Sequence, residues 1–255
     1  MDRSSRGVEA ILLDFLSRRG LGPQDSLAVA YSGGPDSGAL LAACCSIGWP
    51  LPIAVHVDHG IRDRQELDEE LRVVRGFCSS LGVKLIVARV RQGAVLDHSR
   101  SSGAGVEAEA RHYRYAALRG ALRMSGVKAV LLAHTRDDQL ETMLMRLFGG
   151  SGAGGIAGMP EARGPFMRPL LGLGKAELID YLRLRGLPYS TDSTNASQDY
   201  LRNRLRKGLV PALDSALPGW RRGLSLAAAK AARDEEALES QAEALAFRPV
   251  QGCPG

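Results

Sequence analysis

Four short apolar runs mark the first half of the chain, at Leu27 to Tyr31, Ile53 to Val57, Leu85 to Val90 and Val130 to Ala133. After each, apolar residues return every three or four positions, which predicts helices over Ser37 to Cys45, Gln65 to Leu81, Val106 to Arg123 and Asp138 to Phe148. This βα alternation predicts an α/β fold, a doubly wound, mostly parallel, Rossmann-like sheet with helices on both faces. Ligands of such sheets bind at the carboxyl ends of the strands. Ahead of the first strand, Val8, Ile11, Leu12, Phe15 and Leu16 form one apolar face, interrupted by Glu9 and Asp14, so the stretch reads as an amphipathic helix rather than a signal peptide. Six of the ten residues from 149 to 158 are glycine, which predicts a flexible loop. Helices are then predicted at Lys175 to Arg185, closed by Gly186 and Pro188, at Tyr200 to Leu213 and at Leu224 to Leu245. The expected organisation is a main domain over 1–215 and a short helical C-terminal appendage over 216–255.

Composition narrows the classes. At 45% hydrophobic and 24% charged residues the chain can bury a core, so a wholly disordered protein is excluded. No window approaches the roughly 18 apolar residues of a membrane span, and no membrane partner is expected. The four cysteines, Cys44, Cys45, Cys78 and Cys253, lack CxxC or Cys/His ligand spacing, which suits a reducing, cytosolic setting without structural zinc or iron–sulfur. The net charge of +5 is concentrated: residues 163–222 carry 11 Lys and Arg against 5 Asp and Glu, whereas residues 1–162 carry 19 against 18. A local surplus of this kind suits a phosphate-rich partner, with a solvated basic face as the plain alternative.

The stretch LAVAYSGGPDSGALLAA carries the first chemistry. A strand ends at Tyr31, a turn runs from Ser32 to Ser37, and a helix starts near Pro35. Gly33 and Gly34 let backbone approach a phosphate, the helix start favours negative charge, Pro35 suits a first helical turn, and Ser32 and Ser37 add hydroxyls. A Walker A loop requires GxxxxGK[ST], and this turn holds no lysine, so the ordinary P-loop reading fails. Asp36 beside a phosphate is repulsive unless a divalent cation bridges them, which points to Mg2+. The simpler reading is an acid that stabilises the helix dipole.

Here the sequence resembles a known group. SGGPDS after a strand resembles the PP-loop of the ATP pyrophosphatase superfamily. Further blocks follow in order: HVDHGIR from His56, EAEARHYRYAAL from Glu107, LLAHTRDDQLETMLMRLF from Leu131, GSGAGGIAGMP from Gly150, RPLLGLGKAELIDYL from Arg168 and DSTNASQDYLRNRLRKGLVPAL from Asp192. Together they resemble the tRNA(Ile)-lysidine synthetases. The resemblance implies ATP-dependent adenylation of O2 of the wobble cytidine in a tRNA(Ile) with a CAU anticodon, followed by attack of L-lysine at C2 with loss of AMP.

It also implies roles. Ser32, Gly33, Gly34, Pro35, Asp36 and Ser37 hold ATP, with Asp36 on Mg2+. Asp137 and Glu141, one turn apart beside the Leu140, Met143, Leu144 and Leu147 stripe, recognise lysine, and Asp137 assists its deprotonation, because a free lysine amine titrates near 10.4. Arg111 and Arg114 share a helix face and hold developing phosphate charge. Arg202, Arg204 and Arg206 contact tRNA, with Arg204 reaching furthest toward the reacting nucleotide. His56, Asp58 and His59 match a metal triplet by residue type only, so structural or nucleotide-adjacent polar roles are expected. Thr135 stands where the family commonly has a second histidine, and Gly149 where it commonly has an arginine. The family usually continues into C-terminal tRNA-binding domains, so such a module is expected to be missing or reduced here. Partners are therefore tRNA(Ile), lysine and, as an open oligomeric option, a second copy of the chain. The alternatives are another PP-loop tRNA-modifying enzyme such as a thiolase, and a non-catalytic adenine-nucleotide module.

Overall fold

Successive strand residues point to opposite faces of a sheet, and here both faces are buried. Leu27, Val29, Ala129 and Leu131 enter one core, while Ala28, Val55, Val130 and Leu132 enter the other. The computed structural model describes residues 3–61, 64–103, 105–189 and 200–243. The strands are β1 (Leu27–Ala30), β2 (Ile53–Asp58), β3 (Lys84–Arg89), β4 (Ala129–Leu131), β5 (Ala162–Arg163) and β6 (Phe166–Met167). They run in the order β3-β2-β1-β4-β6-β5, parallel except that β5 pairs antiparallel to β6. The helices are α1 (Arg3–Arg18), α2 (Pro35–Ser46), α3 (Arg64–Ser80), α4 (Ala94–Ser102), α5 (Val106–Ser125), α6 (Arg136–Phe148), α7 (Ala153–Ile156), α8 (Lys175–Leu184), α9 (Tyr200–Arg204), α10 (Val210–Ala216) and α11 (Trp220–Glu243). A π-helical stretch, Leu205–Leu209, lies between α9 and α10.

The α/β, doubly wound architecture expected from the sequence is the one observed. Leu12, Phe15, Leu40, Phe77, Leu178 and Tyr181 bring α1, α2, α3 and α8 onto one face. Leu118 and Ala121 bring α5 onto the other. Every residue of α2 from Ser37 to Cys44 is buried, as befits a helix without a polar face. Each fully buried leucine of these cores contributes roughly 1.5–3 kcal/mol relative to exposure.

The chain divides into two compact units, Met1–Asp138 with Pro160–Asn203, and Gln139–Met159 with Arg204–Gly255. In the second, Leu140 and Met143 of α6 pack with Trp220, Leu224 and Ala228 of α11. The glycine-rich stretch, expected to be a flexible loop, contains α7 and is laced to α6. Gln139 Nε2 donates to the Met159 carbonyl at 2.9 Å, Met159 N donates to Gln139 Oε1 at 2.7 Å, and Arg146 Nη1 donates to the Gly158 carbonyl at 2.7 Å. Glycine is needed for this approach at Gly158, whose φ is +79° and where a Cβ would meet Gln139 Nε2 at 2.8 Å. The hairpin β5–β6 and the helices α4 and α7 were not expected. Residues 192–199 of the last sequence block, Arg62, and the tail from Ala244 with Leu245 and Cys253 lie outside the described residues.

Candidate functional site

Strand order reverses between β1 and β4, and the crevice beyond their carboxyl ends is where open α/β sheets bind ligands. A cleft of about 320 Å³ opens there within the first unit. Ser32, Asp36 and Ser37 line it from the turn after β1, His56 and Asp58 from β2, Arg111, Arg114 and Tyr115 from α5, and His134 from the segment after β4.

The Ser32 to Ser37 turn is braced from within. Gly33 has φ +86°, a conformation that favours glycine, and a Cβ there would meet Val74 Cγ2 at 3.3 Å. Ser37 Oγ donates to the Gly34 carbonyl at 3.0 Å, accepts from Ser32 N at 3.2 Å and lies 3.1 Å from Ser32 Oγ. The Ser37 hydroxyl, expected as a ligand donor, therefore gives its hydrogen to the turn itself in this state. Gly34 is the N-cap of α2 without a side-chain cap, and Pro35 opens the helix, so the first turn presents its N–H groups and the positive end of its dipole to the crevice.

A lysine absent from the turn arrives from far along the chain. Lys175, the first residue of α8, places Nζ 3.7 Å from Asp36 Oδ2 and 3.4 Å from Asp138 Oδ1. Its backbone N–H donates to Asp137 Oδ2 at 2.8 Å. Glu177 fixes this helix start by accepting from Gly174 N at 2.7 Å and from Arg136 Nη2 at 2.9 Å. Asp137, expected at the lysine substrate, accepts from the backbone at the start of α8, while Asp36 and Asp138 face the Lys175 ammonium. Burial works to raise the Asp138 carboxyl, but Lys175 and two hydrogen bonds from Thr135, both 2.9 Å, outweigh it and hold the group below its ordinary value. Thr135 caps α6 reciprocally, since its Oγ1 also accepts from Asp138 N at 3.3 Å.

Cations dominate the opposite wall. Arg111 sits over the Tyr115 ring, 5.1 Å from its centroid, and donates to Tyr115 Oη at 3.4 Å. Arg114 is lowered from its ordinary value by desolvation and by Arg111. Burial, opposed by Asp138 and reinforced by Arg168, Arg111 and Arg114, pushes His134 down to about 4, so its imidazole is neutral at neutral pH. His56 Nδ1–H donates to the Tyr31 carbonyl at 3.0 Å, and Asp58 Oδ1 accepts from Gly60 N at 2.8 Å, so both serve local structure.

Glu141, in the second unit, is 4% exposed and accepts from Arg206 Nε at 2.7 Å and Nη2 at 2.8 Å. Arg202, in the first unit, lies 3.8 Å from Glu107, and Arg204 is exposed at the end of α9. Tyr115 and His134, which line the cleft, and Lys175, Asp138 and Arg168, which contact its lining or one another, are residues that sequence reasoning did not assign to the site. Their one signal was membership of blocks already recognised. Among the described residues no group of three or more His, Cys, Asp or Glu side chains forms a metal cage. Asp36 fits a magnesium ion held chiefly by nucleotide phosphates with one or two carboxylates, the usual manner for that ion.

A mostly parallel sheet with a glycine turn at its switch point and an arginine-lined cleft is the setting of a nucleotide-binding α/β domain, and the PP-loop domain family matches residues 6–213. The chain covers 68% of a tRNA(Ile)-lysidine synthase of Polaromonas naphthalenivorans at 37% identity over 237 residues, 91% of its own length. It belongs to the tRNA(Ile)-lysidine synthase family. The corresponding protein of Treponema pallidum is 42% identical over 203 residues, 78% of this chain and 42% of the relative. That of Thermus thermophilus is 38% identical over 224 residues, 88% of this chain and 43% of the relative. The chain thus spans less than half the length of these last two. Among solved structures, a U34-tRNA thiolase of Methanococcus maripaludis has the same fold, with a TM-score of 0.72 at 16% identity over 88% of this chain and 78% of that one.

Proposed function

We propose that the protein ligates L-lysine to the wobble cytidine of tRNA(Ile) bearing CAU, at the expense of ATP. The observation that carries the reading is the SGGPDS turn facing an arginine-lined, carboxylate-flanked cleft in a chain of this family. Cytosine O2 attacks the α-phosphorus of ATP and pyrophosphate leaves; the lysine ε-amine then attacks C2, and AMP leaves with that oxygen. Gly33, Gly34, Pro35 and the α2 start receive the phosphates, with Ser32 as a hydroxyl partner and Ser37 as the brace. Asp36 would hold magnesium, which when bound would draw charge from phosphate oxygens. Arg111 and Arg114 face the charge that develops as pyrophosphate departs. Asp137 is assigned to the lysine amine and its proton, and Glu141 to lysine recognition. Arg202, Arg204 and Arg206 serve tRNA phosphate.

A competing sulfur-transfer reading that works through a nucleophilic cysteine requires a reactive thiol. Burial raises Cys44 and pushes Cys45 and Cys78 up to about 11, which leaves these three protonated and poorly nucleophilic at neutral pH. The test is lysine-dependent pyrophosphate release with magnesium and labelled lysine, using tRNA(Ile) with CAU and the same tRNA with its wobble cytidine replaced. Incorporation into the first alone is expected. Pyrophosphate release without lysine incorporation would overturn the assignment of the nucleophile.

A further inference from the structure

Arg168, directly after β6, is 3% exposed. Its Nη1 donates to the Pro160 carbonyl at 2.8 Å and its Nη2 to Tyr115 Oη at 3.1 Å, while Nε is buried without an acceptor. Among the described residues no carboxylate pairs with it. A buried guanidinium without a counter-ion works against folding, and an apolar side chain of similar size would be tolerated better. What the charge achieves is visible at its far end. Tyr115 Oη also accepts from Arg111 Nη2 at 3.4 Å, so two guanidinium groups donate to one phenol oxygen. The Tyr115 ring stands edge-on to the buried Phe166, with centroids 4.9 Å apart and planes at 86°, and Arg111 lies over its face. Phe166 and Arg168 belong to one short segment, whose backbone is tied back by Arg168 N donating to the Glu161 carbonyl at 2.8 Å.

We propose that Arg168 and Tyr115 are positioning residues, a relay that runs from the Pro160 carbonyl through Arg168 and the phenol to fix the Arg111 guanidinium in the cleft. The relay rests on the reading of Arg111 as a group that meets phosphate charge. A long, flexible arginine on a helix surface reaches a developing charge efficiently only if its fork is held in place beforehand, and Tyr115 holds it with both its ring face and its hydroxyl.

Tyr115→Phe keeps the ring and its packing and removes only the shared oxygen. In tRNA-dependent pyrophosphate release it should lower kcat roughly 10- to 100-fold with KM for ATP within about twofold. In an Arg111→Met background the same change should alter kcat less than about twofold, because the group it positions is gone. Arg168→Met should lower kcat similarly while leaving the thermal midpoint unchanged or higher, since a buried lone charge is removed. A residue that only supports the fold would lower midpoint and rate together, and that result overturns the relay. Equal losses from Tyr115→Phe in the parent and in Arg111→Met, or no loss in the parent, also overturn it while leaving the Arg111 assignment standing. An Arg111→Met protein with full kcat removes that assignment, and the relay with it.

Discussion

Replacing Arg206 by alanine strips the Glu141 carboxylate of two short hydrogen bonds in a place that water hardly reaches. The Glu141 side chain is 5% exposed and the Arg206 side chain 46%. Removing one partner of a fully buried pair costs about 3–5 kcal/mol, because a desolvated charge is left behind. The half-exposed guanidinium is already screened by solvent, which reduces the expected loss to about 1–3 kcal/mol. For a chain of this size each kcal/mol shifts the midpoint by roughly 2–4 °C, so thermal unfolding should move down by about 2–12 °C. Glu141→Gln removes the charge that needs compensation, and adding Arg206→Ala to it should cost little. The assay is thermal and urea unfolding of the parent, both single variants and the double variant. A coupling energy of at least about 1 kcal/mol is expected. Additive effects, with coupling below about 0.3 kcal/mol, would refute the claim that this pair governs the burial of Glu141.

Protonation of His134 should make stability depend on acid. Its folded value of about 4 lies below the unfolded value near 6.5, so from pH 6.5 down to 4 the unfolded chain binds the proton first and stability falls, by on the order of 2–3 kcal/mol. His134→Asn should flatten that slope in urea titrations across the window; an unchanged slope would place the linkage elsewhere. Asp36→Asn should retain nucleotide binding by equilibrium dialysis and lose magnesium-dependent turnover about 100-fold or more, whereas parallel loss of both would reduce Asp36 to a helix-start acid. Replacing Arg202 and Arg204 by alanine should flatten the salt dependence of tRNA binding by roughly 0.7–0.9 for each phosphate that is no longer neutralised, measured by filter binding from low to physiological salt.

The strands that carry the fold were legible because β1 and β4 read as unbroken apolar runs and β2 as one interrupted by His56, with side chains entering cores on both faces. The turn at Ser32 to Ser37 was legible because glycine and proline have fixed geometric uses there. What escaped depends on distance or brevity. The two-residue strands β5 and β6 are too short to show a period, yet they deliver Arg168. Lys175 meets Asp36 only because α8 packs onto α2 across one core, and no local pattern encodes that. Asp137 and Asp138 are adjacent acids in one helical turn, and their periodicity does not say which faces the ammonium. The glycine-rich stretch was read by its backbone freedom, whereas Gln139 and Arg146 use that freedom to fasten it.

The position of β1 in the sheet bears on how the chain is made. β1 pairs with β2 on one side and with β4 on the other. During synthesis the first partner follows within one helix, but the second emerges only after roughly 100 further residues, on the order of 5–20 s at usual elongation rates. For that interval β1 presents an open, apolar edge, the kind of template that recruits foreign strands unless something shields it. His134 emerges just behind β4, so a nascent chain carries its glycine turn long before the turn has an opposite wall. Premature termination between β2 and β4 would therefore leave a fragment that displays the signature of the family, lacks the cleft, and is prone to aggregate.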